Sequence, residues 1–247
     1  MSCYESLAAF YDRLTEDVDY RRFADRYERA FSADGGEFRL LLDLCCGTGS
    51  LSLEMSKRGY EMIAADGSES MLMQAREKCA DLPVPPLFLL QDAAALDLYG
   101  TVDAAFCSLE GINYLSPATL DRLLGRLFLF IRPGGLFLFD LRTPDYLKGL
   151  DGDTFVDEDD DVFCLWRADF DDALGALVYG MDLFSREGGL WRRSREEHVE
   201  YAHSPAFLSG LLEKHGFTDL KLEEEDDRLH VQCRRSVQGS ASRMPVP

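Results

Sequence analysis

Residues 40–50, Leu-Leu-Leu-Asp-Leu-Cys-Cys-Gly-Thr-Gly-Ser, decide how this chain is read. An apolar stretch carrying one aspartate, Asp43, breaks into a loop of small residues with two glycines, Gly47 and Gly49. Such a loop lets the backbone approach a ligand closely. A strand, a glycine loop and a helix invite a dinucleotide, but that fingerprint wants Gly or Ala where Ser52 stands. Asp66, at the end of the next apolar stretch, suits the two hydroxyls of a ribose and does not discriminate among nucleoside cofactors. Asp43 does discriminate. A pyrophosphate would have to sit beside it, and a carboxylate opposes a dianion while it favours an ammonium or a sulfonium. The loop suits a nucleoside that carries positive charge.

Working outward, strands and helices alternate. Apolar residues among charges from Tyr11 to Phe31 predict an amphipathic helix broken near Asp19. Strands are expected at Arg39 to Leu44, Glu61 to Ala65, Pro86 to Leu90, Val102 to Cys107 and Leu136 to Leu141. Helices are expected from Ser50 to Arg58, from Glu69 to Ala80 behind a Ser68 cap, and from Ser116-Pro117 to Ile131. Arg132-Pro133-Gly134-Gly135 reads as the turn into the fifth strand. Repeated β-α units with apolar strands imply a parallel sheet covered on both faces. After Pro144 the texture changes: Thr154 to Tyr201 shows no helical period and predicts antiparallel strands with a Gly188-Gly189 hairpin. Ser204-Pro205 opens a last helix ending at Gly216, followed by strands at Thr218 to Glu223 and Leu229 to Arg234.

The expected fold class is α/β: a Rossmann-like, doubly wound, mostly parallel sheet with a small antiparallel insertion. The expected division is an N-terminal helical cap (1–36), a cofactor-binding core (37–144), an inserted antiparallel lid (145–203), a helix and strands completing the core (204–236) and a disordered tail (237–247).

Charge and cysteine usage restrict function. The 247 residues hold 26 basic and 45 acidic side chains, net −19, a surface that repels a phosphate backbone. Nucleic acid is disfavoured as a partner, and a neutral or cationic small molecule is favoured. No apolar run approaches the roughly 20 residues of a membrane span, and the first residues lack the pattern of a secretory signal. Seven cysteines without a C-x-x-C fit neither a disulfide framework nor a zinc cluster. The expectation is a cytoplasmic protein with no membrane partner and no metal; oligomeric state is not legible. The acidic run Asp151 to Asp161 lacks the spacing of a Ca²⁺ loop and reads as a solvated loop, one that steers an amine substrate in the sharper reading.

S-adenosylmethionine answers the description of a positively charged nucleoside, and the chain resembles the class I methyltransferases that use it. Residues 42–49 resemble that family's Leu-Asp-Leu-Gly-Cys-Gly-Thr-Gly. Asp66-Gly67-Ser68 with Met71-Leu72 and Ala75 resembles its D-x-S-x-x-M-L-x-x-A, Ala104 to Leu109 its fourth-strand segment, and Arg132 to Gly135 the loop before the fifth. Phe10-Tyr11-Asp12 and Asn113-Tyr114 resemble a bacterial small-molecule subgroup. The resemblance covers residues 4 to 144 well and the final helix and strands loosely. It departs at Cys45, where the family has its first glycine; the backbone there is expected to avoid a strongly positive φ.

The resemblance implies roles. Gly47 and Gly49 would let backbone meet the methionine portion, and Asp43 would hold its ammonium. Asp66, with Gly67 beside it, would bind the ribose, and Met71 would pack near the adenine. Asp92 would accept from the exocyclic amine and the Ala93 N–H would donate to the ring. Backbone from Cys107 to Leu109 would line the methionine end, and Tyr11 would close over the sulfonium. Asn113, Tyr201 and His203 are candidates on the substrate side; no general base is identified. The implied activity is methyl transfer to a small-molecule O, N or other nucleophile. Two rivals stand beside it: an NAD(P)-dependent oxidoreductase, disfavoured by Asp43 and the missing third glycine, and a non-catalytic S-adenosylmethionine-binding module, which only turnover excludes. After the fourth strand comes Cys107-Ser108-Leu109-Glu110 rather than Asn/Asp-Pro-Pro-Tyr, so the acceptor atom stays open.

Overall fold

A computed structural model describes residues 6–237. The tail 238–247 lies outside the described residues, as do the first five. Helix α1 (Tyr11–Leu14) and helix α2 (Tyr20–Asp34) are separate, and Asp19 makes the break by accepting from the Arg21 and Arg22 N–H groups. Helix α2 ends at Gly35 in the left-handed conformation that glycine adopts without penalty.

The β-α alternation then runs as the apolar periodicity implies. Strand β1 (Leu40–Leu44), helix α3 (Ser50–Lys57), strand β2 (Glu61–Asp66), helix α4 (Glu69–Lys78), strand β3 (Leu87–Leu90) and strand β4 (Val102–Cys107) come first. Helix α5 (Pro117–Phe130) and strand β5 (Ile131–Arg142) follow. The Arg132-Pro133-Gly134-Gly135 segment is not a free turn. It lies within β5 as an irregularity where the pairing with β4 shifts register, between Val102 and Ala104. Helix α6 (Pro144–Gly149) was not anticipated, although Thr143 caps it through the Tyr146 N–H and Pro144 opens it.

Strands β6 (Thr154–Asp159), β7 (Val162–Asp171), β8 (Ala176–Glu187) and β9 (Leu190–Tyr201) form a four-stranded antiparallel sheet in that order. Gly188-Gly189 forms the hairpin between β8 and β9. The solvated-loop reading of Asp151 to Asp161 is corrected: residues 154–159 pair with β7 from Thr154↔Arg167 to Asp159↔Val162. Alternating side chains let an edge strand carry acids outward while its backbone stays paired. Helix α7 (Pro205–Lys214) and the hairpin β10 (Phe217–Glu225) and β11 (Arg228–Arg235) complete the chain.

The large sheet has the order β10-β11-β5-β4-β1-β2-β3; β5, β4, β1, β2 and β3 run parallel, and β11 is antiparallel to both β5 and β10. Both faces are covered, which is why β1 is apolar without alternation. Leu41 packs under α2 and α3 with Tyr27, Met55 and Phe106, while Leu42 packs on the other face with Leu120, Leu124 and Phe137. All are essentially buried, and truncating Phe106 to Ala would cost about 3–5 kcal/mol. The strand order reverses between β1 and β4, the place where open α/β sheets take ligands beyond their carboxyl ends.

Candidate functional site

A cavity of about 420 Å³ sits at that switch point, within the size range of small-molecule sites. Asp43 and Cys45 reach it from the end of β1, Asp66 and Gly67 from the end of β2, and Met71 from α4. The other side is closed by Tyr11, by Ser108, Leu109 and Tyr114 beyond β4, and by Glu197, Val199 and Tyr201 of β9.

Asp43 is 2% exposed and accepts from the Ser52 hydroxyl at 2.5 Å. Ser52, the position that breaks the dinucleotide fingerprint, thereby supports the aspartate. Burial pushes the Asp43 carboxyl up to about 7, against the lowering pull of Ser52 and with a smaller upward push from Asp66. Among the described residues no base pairs with it. Asp66 is held differently: one oxygen accepts from the Gly47 N–H at 2.9 Å, the other from the Ser68 N–H at 2.8 Å. It fixes the glycine loop and faces the cavity; burial raises its pKa more than those backbone donors lower it.

The loop conformation explains its composition. Gly49 has φ +73°, and a Cβ there would lie 2.9 Å from Ala75 Cβ, so only glycine lets α3 start this close to α4. Cys45 corrects an expectation: its φ is +53°, in the left-handed region. That conformation costs a non-glycine residue on the order of 1–3 kcal/mol. The chain must turn off β1 while the Cys46 N–H still reaches the Ala65 carbonyl at 3.2 Å, so the tertiary pairing overrides the local preference. Leu109 and Glu110 are also left-handed, with φ +54° and +60°. Their N–H groups donate to Asp140 at 3.1 and 3.4 Å, and Arg228 bonds both Asp140 and the Glu110 carboxylate.

Several expected site residues lie off the cavity wall. Gly49 acts as the helix cap just described, and Cys107 is buried behind the wall. Asp92 is exposed and caps the 3₁₀ turn Ala93–Ala95 through the Ala94 N–H at 2.7 Å, with Ala93 inside that turn. Asn113 is a structural tie: its side chain accepts from the Arg142 N–H at 2.8 Å and donates to the Tyr201 carbonyl at 2.9 Å. His203 is buried with Nε2 2.9 Å from the Leu115 carbonyl oxygen, and burial lowers its pKa. Tyr201 does line the cavity.

The sequence reading missed a second set. Lys78 joins Asp12, Thr48 and Ser50 at 2.5–2.9 Å, tying the N-terminal segment to the glycine loop. Thr48 also donates to Asp12 at 2.6 Å. The Asp12 of the Phe-Tyr-Asp run was the available signal, but its partner lies 66 residues away. Tyr27 bonds the Ser108 hydroxyl at 2.5 Å and stacks on Phe106 at 4.8 Å, so α2 steadies the wall from behind.

Comparison with known proteins agrees with this geometry. The family described as "Methyltransferase domain" matches residues 41–135, which span β1 to the start of β5. The methyltransferase-like protein YqeM of Bacillus subtilis (strain 168) is 26% identical over 245 residues, covering 94% of this chain and 97% of its own. Among solved structures, an S-adenosylmethionine-dependent methyltransferase from Clostridium acetobutylicum ATCC 824 superposes with TM-score 0.82 at 27% identity, covering 95% of this chain and 100% of the other. CalS10 of Micromonospora echinaspora, an amino pentose methyltransferase with its cofactor bound, shares the fold at TM-score 0.75 and 17% identity, over 96% of this chain and 99% of its own.

Proposed function

We propose that this chain, similar in residues 41–135 to a methyltransferase domain and in overall fold to an S-adenosylmethionine-dependent methyltransferase, methylates a small molecule held between the ends of the parallel strands and strand β9. The observation that carries this reading is the cavity itself, walled on one side by the two carboxylates and on the other by Tyr11 and the edge of the antiparallel sheet. The N-terminal segment that leads into and forms helix α1 packs against that sheet through Leu7, Phe10 and Leu14, so the roof is built from two separate stretches of chain. A roof this close leaves room for a compact acceptor. The acidic surface, net −19, disfavours a nucleic-acid acceptor.

The residues present fit the cofactor. Asp43 is a buried carboxylate without a base beside it, positioned for the ammonium of the methionine portion. Asp66 faces the cavity with acceptor capacity left for ribose hydroxyls, and Gly47 and Gly67 keep backbone close to the ligand. Met71 offers an apolar surface to the base. When bound, S-adenosylmethionine supplies an electrophilic methyl group on a sulfonium. The chain contributes alignment of the acceptor and exclusion of water, the largest levers for such a displacement.

Calorimetric titration of the protein and of Asp66→Ala with S-adenosylmethionine, and separately with NADH, tests the site. Tight binding of the first, weakened at least about tenfold by the substitution, is expected from the loss of charge-assisted hydrogen bonds. Equal affinity in both proteins would remove Asp66 from the site. Turnover on a small-molecule panel then separates an enzyme from a module that merely binds.

A further inference from the structure

A smaller cavity of about 230 Å³ opens beside the main one and shares Tyr11, Leu109 and Tyr114 with it. Its remaining wall is polar: Glu110 from the loop after β4, Arg142 from the end of β5, Tyr146 from α6, and Tyr179 and Glu200 from β8 and β9. The charges do not cancel. Glu110 pairs with Arg142 at 2.8 Å and with Arg228, which also reaches Asp140. The Arg142 guanidinium is further committed, lying 4.5 Å over the Tyr146 ring. Two acids thus meet two bases. Glu200 is the remainder, a carboxylate 8% exposed that forms no ion pair among the described residues and accepts from Tyr114.

We infer that this side pocket receives the methyl acceptor as a protonated amine, with Glu200 as its counter-ion and proton acceptor. The inference rests on the methyltransferase site described above, since the two cavities share a wall. Buried carboxylates without a base are costly and are relieved by a cation, and the surrounding phenol rings of Tyr11, Tyr114, Tyr146 and Tyr179 favour one as well. In the transfer an ammonium N–H bond breaks and its proton passes to Glu200. The electron pair left on nitrogen forms the new bond to the methyl carbon, and the pair of the broken carbon–sulfur bond stays on sulfur.

Proton energetics favour nitrogen over oxygen. Burial, chiefly, and the neighbouring Glu110 push Glu200 up to about 7, while Tyr114, Arg142 and His198 pull it down. An alkyl ammonium near 10, like that of lysine, lies about three units above that value. A hydroxyl, as weak an acid as water, lies far above it, too far for this base.

The test is ligand-observed NMR on protein saturated with S-adenosylhomocysteine, using two matched probe pairs: glucosamine with glucose, and cyclohexylamine with cyclohexanol. Each amine should bind at least tenfold more tightly than its alcohol. Glu200→Gln should abolish that preference while S-adenosylhomocysteine affinity stays within twofold. On the wild type, amine binding should strengthen from pH 6 to pH 8 as Glu200 ionises and alcohol binding should stay flat, which keeps the test open if the variant fails to fold. Alcohols binding as well as amines, a preference that survives in Glu200→Gln, or no binding by either probe pair would overturn the inference. Failure of S-adenosylhomocysteine to bind the wild type would overturn the cofactor site as well, and calorimetry without probes detects that failure separately.

Discussion

Two buried aspartates, Asp43 on β1 and Asp182 on β8, show opposite uses of one side chain. Their carboxylates are almost equally withdrawn, 2% and 3% exposed as residues. Asp182 is saturated by the protein: Arg167, Arg193 and Arg195 all donate to it at 2.5–3.0 Å, and those bonds, Arg167 first, hold its pKa below the usual range. Asp43 is met by Ser52 and, among the described residues, by no base, and burial lifts it to about 7. A carboxylate compensated within the fold serves the fold. One left uncompensated at the end of a parallel strand is, in the function proposed above, the one kept for a ligand.

The sharpest way to break this contrast is Asp43→Asn, which keeps a partner for Ser52 and removes the charge. Affinity for S-adenosylmethionine should fall about 30-fold, the ~2 kcal/mol of a charge-assisted hydrogen bond. The unliganded protein should melt no lower than wild type, because no ion pair is lost. Calorimetry and a thermal melt on the same sample check both. A large drop in melting temperature with affinity intact would reverse the assignment.

Titration sharpens the comparison further. Asp43 must be ionised to hold an ammonium, so affinity should rise about tenfold between pH 6 and pH 8, given a free-protein value of about 7. Asp43→Asn should flatten that rise. The stability signs are opposite for the two aspartates. Asp43 has a raised folded pKa, so its contribution is full below the unfolded value of 3.8 and is lost as pH rises through about 7. Asp182 has a lowered one, so its contribution is present above 3.8 and is lost as pH falls through the depressed folded value. Unliganded melting curves of wild type and both Asn variants across pH 3 to 8 separate the two.

A smaller effect is expected at Asp182 itself. Its partners are well exposed, with Arg167 and Arg193 side chains at 46% and Arg195 at 70%, so water screens much of the attraction. Asp182→Asn should cost about 1–2 kcal/mol, a melting shift of roughly 3–6 °C, and leave cofactor affinity unchanged. A change in affinity would mean that the antiparallel sheet transmits strain to β9 and the cavity.

The two aspartates were not equally legible. Asp43 sits inside a contiguous eleven-residue stretch whose composition already poses a chemical question, and the parallel sheet follows from local apolar periodicity. Asp182 reads as an ordinary polar position, because its three partners come from two other strands and only the antiparallel register Leu165↔Asp182 and Asp182↔Arg195 collects them. The same limit hid Lys78, Arg228 and Glu200. Each acts across a long separation in sequence, and a chain read locally gives no distance between such residues. Helix α6 escaped for a different reason: six residues are too few to show a helical period, although its Thr-Pro start was visible. The left-handed φ of Cys45 escaped because local preference argued against it and pairing to β2 prevailed.

Asp92 supplies the third case, an aspartate that is exposed and, among the described residues, paired with no base. The family resemblance gives it the adenine's exocyclic amine, yet it stands exposed and off the cavity wall, with one oxygen already accepting from the Ala94 N–H. A carboxylate still in water has paid little desolvation, so a ligand gains little by meeting it. Asp92→Asn keeps an acceptor for the cap and should weaken S-adenosylmethionine binding only about threefold, an order of magnitude less than Asp43→Asn. If the two losses were equal, burial would not be what sets the strength of these contacts. The loop carrying Asp92 would then have to close over the adenine and desolvate the carboxylate when the cofactor binds, and amide exchange at residues 92–96 would slow on binding.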